Sequence, residues 1–214
     1  MVGVNLGEHR FGGAVDHRRF TLRSDDGAEP LAFAARAAHP NGAGAVILPD
    51  VRGLHAYYEE LALRFAEHGV DAVVVDYFAR TAVGPELGTP ERPNRGESFA
   101  CWPHVERTTF AGVSADTRAA AAYLRSPEGG AVRSLFVVGF CFGGRAALLS
   151  STLGLETAGV IGFYGPPQKP MGDIPAPVER VGKMNGAVLG LFGGDDASIP
   201  PEAVAAFDRA LTSS

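Results

Sequence analysis

Short apolar runs alternate with amphipathic segments along most of the chain. Five runs have the length and composition of buried strands, namely 45–48, 72–75, 134–138, 160–164 and 187–192. Apolar residues at helical spacing predict a helix over 56–68 that Gly69 caps, and a second helix that Pro127 ends. A third helix is predicted directly after Cys141. This alternation of strands and helices predicts a mostly parallel sheet with helices on both faces.

The N-terminal part of the chain follows a different pattern. The extended segments 20–23 and 31–36 flank Ser24-Asp25-Asp26-Gly27, and Asp-Gly favours a turn between two paired strands. We therefore expect an antiparallel hairpin at the edge of the sheet. The chain has 214 residues, of which 46% are hydrophobic and 20% charged, so we expect one domain, 1–214, around one core.

Charge and composition restrict the class of partner. The formal net charge is −5, and no basic cluster is denser than Arg18-Arg19, so neither nucleic acid nor an anionic membrane surface is an expected partner. No apolar stretch is long enough to cross a bilayer, and no secretory signal is recognisable at the N-terminus. We expect a cytoplasmic protein that binds a small molecule. No metal-binding cluster is visible, no cofactor is predicted, and the oligomeric state stays open.

The carboxyl ends of the parallel strands are where a ligand is expected to bind. The segment 78–105 contains four prolines and little periodicity, which is typical of a binding loop or lid. The run 135–138 leads directly into Gly139-Phe140-Cys141-Phe142-Gly143-Gly144, and a helix follows. Strand, tight turn and helix in this order are typical of a nucleophile elbow, which lifts the central residue above the sheet edge.

Cys141 is accordingly the candidate nucleophile. Its place at a helix N-terminus is expected to lower the pKa of the thiol, and the Phe142 N–H is expected to stabilise an oxyanion. The alternative is a tight strand-to-helix turn that buries a small cysteine and performs no chemistry.

The turn at Cys141 resembles the nucleophile motif of the dienelactone hydrolase family, Gly-x-Cys-x-Gly-Gly, and the resemblance extends over most of the chain. It implies an α/β-hydrolase fold. The family's oxyanion segment resembles Pro49-Asp50-Val51-Arg52-Gly53-Leu54, which implies that Asp50 holds the resting thiol and that the Val51 N–H is the second oxyanion donor. This position is usually Glu in the family, and a solvated strand-end carboxylate is the alternative for Asp50.

The same resemblance implies two further roles. Asp76-Tyr77-Phe78-Ala79-Arg80 resembles a strand end at which the arginine binds the substrate carboxylate, and a surface arginine is the alternative for Arg80. The segment Gly193-Gly194-Asp195-Asp196 resembles the family's acid segment, and its match implies that Asp196 orients the catalytic histidine. The competing role for either aspartate is to cap the helix expected after Pro200.

The family's histidine follows one more helix and strand, but no histidine follows His104 in this sequence. We expect that the chain is C-terminally truncated and lacks that strand and helix. The alternatives are His55 and His104 as substitute bases, or the loss of the usual base. The resemblance thus implies a thiolate hydrolase of esters or enol-lactones. An inactive binding or sensor protein and a general carboxylesterase are the competing hypotheses.

Overall fold

The computed structural model describes residues 16–82 and 100–213, which contain one seven-stranded mixed sheet. The strands are β1 (Asp16–Thr21), β2 (Leu31–Arg36), β3 (Ala43–Leu48), β4 (Asp71–Val75), β5 (Ser134–Phe140), β6 (Gly159–Phe163) and β7 (Ala187–Leu191). Their order is β1-β2-β4-β3-β5-β6-β7. β2 pairs antiparallel with β1 and β4, and the other neighbours are parallel.

Helices cover both faces of this sheet. They are α1 (Ala56–Glu67), α2 (Trp102–Val105), α3 (Phe110–Arg125), α4 (Phe142–Ser150) and α5 (Pro201–Thr212), with a 3₁₀ helix at Pro177–Lys183. On one face α1 packs on β2 and β4, and on the other α3 and α4 cover β3 to β6. The two sides of each central strand therefore enter different apolar clusters, which explains why these strands are apolar at consecutive positions.

The predicted α/β-hydrolase fold is confirmed, including the N-terminal antiparallel hairpin. Each of the five predicted strands is present, with bounds that differ by at most two residues. The prediction that all five are buried was wrong for β7, in which no residue is buried. Gly69 has a φ of 83°, as a glycine after a helix C-terminus requires. Of the predicted loop 78–105, residues 83–99 lie outside the described residues. Within the described residues, no helix is long and apolar enough to cross a membrane.

The sheet brings the ends of three parallel strands to the start of α4. Leu48 at the end of β3 pairs with Gly139, and Phe140 at the end of β5 pairs with Phe163. A Cβ atom on Gly143 would lie 2.1 Å from the Leu48 carbonyl oxygen, and one on Gly144 would lie 2.4 Å from that of Phe163. The first turn of α4 therefore packs backbone against backbone on both neighbouring strands.

We expect Gly143→Ala to lower the free energy of unfolding by about 1–3 kcal/mol, because the added methyl group overpacks a rigid backbone contact. Gly182→Ala is the matched control, since its Cβ would meet no atom within 4 Å. Urea unfolding followed by circular dichroism measures both. Equal stability of the two variants would contradict the packing described for α4.

Candidate active site

Cys141 occupies the turn between β5 and α4. Its φ and ψ are 56° and −113°, an unusual conformation for a residue with a side chain. The Cys141 N–H donates a hydrogen bond of 2.9 Å to the Phe163 carbonyl oxygen, which ties the turn to β6. The thiol is free and half-buried. The local backbone thus has the strain and the connections of a nucleophile elbow.

The pKa of the Cys141 thiol does not follow the sequence prediction. Burial raises this pKa above its usual value, and the negative charges of Asp50 and Asp196 raise it further. The Phe142 amide and the charge of Arg145 act in the opposite direction and do not outweigh burial. The prediction of a lowered pKa was wrong because it considered the helix N-terminus alone and left out desolvation. The described residues around Cys141 therefore favour the protonated thiol over the thiolate.

The two predicted oxyanion donors lie on either side of this turn. Phe142 is the first residue of α4, and its N–H interacts with the Cys141 sulfur. Val51 follows β3 in a turn that the Gly53 N–H closes with a hydrogen bond of 3.0 Å to the Asp50 carbonyl oxygen. Among the hydrogen bonds of the described residues, none has the Val51 N–H as its donor. This N–H is therefore available to a ligand.

Asp50 forms an ion pair that the sequence did not predict. Its carboxylate accepts hydrogen bonds from the Arg52 side chain at 2.9 and 3.2 Å and from the Arg52 backbone N–H at 2.8 Å. Burial raises the pKa of Asp50, but its polar interactions with His55 and Arg52 outweigh burial and hold the pKa well below its usual range. The hydrogen bonds of the described residues include none between Asp50 and the thiol. The ion pair between Asp50 and Arg52 replaces the predicted contact between Asp50 and the thiol. The charge of Asp50 still raises the pKa of the thiol.

Arg80 is also held by protein carboxylates. Its guanidinium group donates to both carboxylate oxygens of Asp26 at 2.6 and 2.8 Å, and to both of Asp116 at 2.8 and 2.9 Å. Asp116 is buried and also accepts from the Ser24 hydroxyl, whereas Asp26 is exposed. The predicted role of Arg80 stays a prediction, and in this structure its bidentate geometry serves the two aspartates.

Asp196 lies after β7 and is partly exposed to solvent. Its carboxylate accepts two hydrogen bonds from Ser198, at 2.6 Å from the hydroxyl and 2.8 Å from the backbone N–H. The hydroxyl of Ser198 and then its backbone lower the pKa of Asp196. Within the described residues no imidazole pairs with this carboxylate. Asp196 is nevertheless close enough to Cys141 for its charge to act on the thiol.

The two histidines considered as substitute bases lie apart from Asp196. His55 caps α1 without a side-chain bond, and its buried Nε2 lies 3.9 Å from the Asp50 carboxylate, beyond hydrogen-bond distance. His104 lies in α2, where its ring packs 5.7 Å from that of Phe78. His55 therefore lies next to the segment after β3, whereas His104 lies beside Phe78, which follows β4.

Sequence reasoning missed two arginines near the thiol. Arg52 holds Asp50, as described above. Arg145 is 1% exposed, and its guanidinium group donates to the Lys169 carbonyl oxygen while its Nε has no partner. A positive charge four residues after Cys141, on the same helix, is the sequence signal that points to Arg145.

Neither a disulfide nor a metal centre is formed by the described residues. Cys101 and Cys141 are both free, and no three metal-binding side chains cluster there.

Comparisons with known proteins identify relatives of this chain. The model of the dienelactone hydrolase family matches residues 32–214. A protein of Synechocystis sp., provisionally named a carboxymethylenebutenolidase, is 27% identical over 85% of this chain and 74% of its own length. A protein of Escherichia coli K12 with the same provisional name is 29% identical, over 90% of this chain and 69% of its own.

A solved structure gives the same result at the level of the fold. The crystal structure of a provisionally named dienelactone hydrolase from Klebsiella pneumoniae is similar with a TM-score of 0.77 and 25% identity. The similarity covers 94% of this chain and 82% of that protein.

We expect Asp50→Asn to shift the pH dependence of Cys141 alkylation to lower pH. The variant removes a negative charge that disfavours the thiolate, so the pKa of the thiol falls and alkylation at pH 7 becomes faster. The measurement is the rate of iodoacetamide labelling against pH, with the labelled peptide identified by mass spectrometry. Asp25→Asn removes an equal charge from the N-terminal hairpin and serves as the control. An Asp50→Asn profile that coincides with the control would contradict the electrostatic coupling.

Proposed function

The chain belongs to the dienelactone hydrolase family of hydrolases, which act on small molecules, and from this premise we propose that it cleaves an ester or enol-lactone with Cys141 as the nucleophile. The observation that carries the proposal is the strained turn at Cys141, with φ at 56°, between a parallel strand and a helix. A protein retains such strain where the surrounding structure compensates for it, which occurs mainly at functional sites.

The proposed reaction has two steps. The Cys141 thiolate adds to the carbonyl carbon, so a C–S bond forms and the carbonyl electrons move to the oxygen. The Phe142 and Val51 N–H groups stabilise this oxyanion, and its collapse breaks the C–O bond and releases the alcohol or enol after protonation. Water then cleaves the thioester to the free acid and restores the thiol. Both the first deprotonation and the attack of water need a base.

We propose an imidazole oriented by Asp196 as that base, contributed from outside residues 16–82 and 100–213. Two features of the described residues support a place for it. The sheet ends at β7, whose Leu189 and Leu191 are 50% and 40% exposed, and an apolar groove of about 490 Å³ lies between β7 and α5. An exposed strand edge next to an apolar groove suits a further parallel strand, which would end near Asp196.

The competing function is that of a non-catalytic binding or sensor protein. The specific observation in its favour is that Asp196 pairs only with Ser198 among the described residues. Both functions are compatible with a cytoplasmic setting, which we propose because a reducing compartment keeps the Cys141 thiol free.

We expect Cys141→Ala to abolish the enzyme-dependent hydrolysis of aryl esters and dienelactones, a loss of about 10³-fold or more, because the variant has no nucleophile. The assay measures product release with and without added imidazole, which supplies the base. Cys101→Ala is the control, since this buried cysteine is expected to leave turnover unchanged. Hydrolysis that is the same in the wild type and in Cys141→Ala, with imidazole present, would favour the non-catalytic function.

We further propose that Arg80 binds a carboxylate on the substrate, which then replaces the exposed Asp26. The buried Asp116 would remain in place and hold the other side of the guanidinium group. The alternative is a general carboxylesterase that acts on uncharged esters. In such an enzyme Arg80 would stay paired with Asp26 and Asp116, because the substrate has no carboxylate to replace them.

On this proposal, Asp26→Asn lowers the KM for a carboxylate-bearing lactone and leaves the KM for a neutral ester unchanged. The expected decrease is about two- to fivefold, the range of an exposed ion pair, because the competing carboxylate is gone. Asp25→Asn changes the net charge equally but removes no partner of Arg80, and is the control in steady-state kinetics. Equal KM values for the two variants would argue for the general carboxylesterase.

A further inference from the structure

Two buried tyrosine hydroxyls hold the segment that precedes Val51. The Tyr77 hydroxyl shares its single proton between two carbonyl oxygens, that of Pro49 at 2.8 Å and that of Asp50. The Tyr58 hydroxyl accepts a hydrogen bond of 3.0 Å from the Asp50 N–H. The two side chains are 2% and 1% exposed. Tyr77 lies just after β4 and Tyr58 lies in α1, so two different elements hold the segment.

These bonds fix two consecutive peptide planes. The first plane contains the Pro49 carbonyl and the Asp50 N–H, and a tyrosine hydroxyl binds each of its ends. The second contains the Asp50 carbonyl and the Val51 N–H. Its carbonyl is bound by Tyr77 and by the Gly53 N–H, and a trans peptide places the N–H on the opposite side. Fixing this carbonyl therefore determines the direction in which the free Val51 N–H points.

The same two rings also contact the turn that contains Cys141. The Tyr77 ring lies 4.8 Å from that of Phe142, measured between centroids, and the Tyr58 ring lies 5.6 Å from that of Phe140. Each tyrosine thus joins the segment after β3 to a residue that flanks the nucleophile. A phenylalanine ring would fill the same volume. Packing therefore explains the ring of each tyrosine but not its buried hydroxyl group.

We propose that Tyr77 and Tyr58 are positioning residues that aim the Val51 N–H at the oxyanion formed on Cys141. The proposal rests on the proposed function, because the oxyanion and the role of Val51 belong to it. Neither tyrosine contacts the reacting atoms. Their effect comes from geometry, since a donor stabilises an oxyanion only when it is preorganised at hydrogen-bond distance from the oxygen.

The test compares two reactions of the same thiol. A trifluoromethyl ketone adds to Cys141 reversibly: the S–C bond forms, the carbonyl electrons move to oxygen, the thiol proton goes to solvent, and the product carries an oxyanion. Iodoacetamide alkylates the same sulfur with loss of iodide and forms no oxyanion. Protection against iodoacetamide by the ketone therefore gives the dissociation constant of the adduct, and the alkylation rate without ketone reports the thiol alone.

We expect Tyr77→Phe and Tyr58→Phe each to raise the adduct dissociation constant about tenfold, less than the loss of a whole oxyanion donor. The alkylation rate without ketone should stay within about twofold of the wild type, because the thiolate is not stabilised through Val51. Tyr123→Phe is the control: it removes a hydroxyl from a buried tyrosine on α3, in the apolar cluster that also contains Tyr77, and both quantities should stay unchanged.

Three results would overturn the proposal. Unchanged adduct affinity in both tyrosine variants would show that the hydroxyls do not aim the donor. A parallel loss of adduct formation and alkylation would show a general distortion of the turn. Absence of any adduct in the wild type, with normal alkylation of Cys141, would remove the oxyanion site itself and with it the proposed function. The last result is distinguishable from the first two because it needs no variant.

Discussion

The site depends on one close backbone contact, between the first turn of α4 and the ends of β3 and β6. Gly143 and Gly144 bring this turn against the carbonyl groups of Leu48 and Phe163, and the Cys141 N–H is bonded to the second of these strands. These contacts hold the backbone on both sides of Cys141, whose φ is 56°. The segment that carries Val51 lies on one side of the same contact and β6 on the other, so errors in this packing would displace every part of the site together.

The electrostatic environment of Cys141 disfavours the ionised form of its thiol. Burial and the carboxylates of Asp50 and Asp196 raise the pKa of the Cys141 thiol, and the Phe142 amide and Arg145 compensate only in part. Both carboxylates are themselves held by hydrogen bonds, so their charges persist at neutral pH. Under the proposed function, the thiol would gain its reactivity from interactions that form with the substrate, such as those of the oxyanion, rather than from a permanently ionised sulfur.

Much of this arrangement could be predicted from the sequence because it depends on local patterns. The strands were recognisable from consecutive apolar residues, and the turn at Cys141 from its glycines and its place between strand and helix. The partners of Arg80 could not be predicted, because Asp26 and Asp116 are 54 and 36 residues away and no local pattern relates them. The raised pKa of Cys141 was equally hidden, because desolvation depends on packing that only the folded chain defines.

The raised pKa of the Cys141 thiol has a consequence for its reaction with oxidants. Peroxides and disulfides react with thiolates far faster than with thiols, and oxidation beyond the sulfenic acid is mostly irreversible. A thiol whose pKa is raised by burial presents little thiolate to these oxidants. Under the proposed function, the same burial that disfavours the attacking thiolate would also protect the sulfur from chemical damage between turnovers.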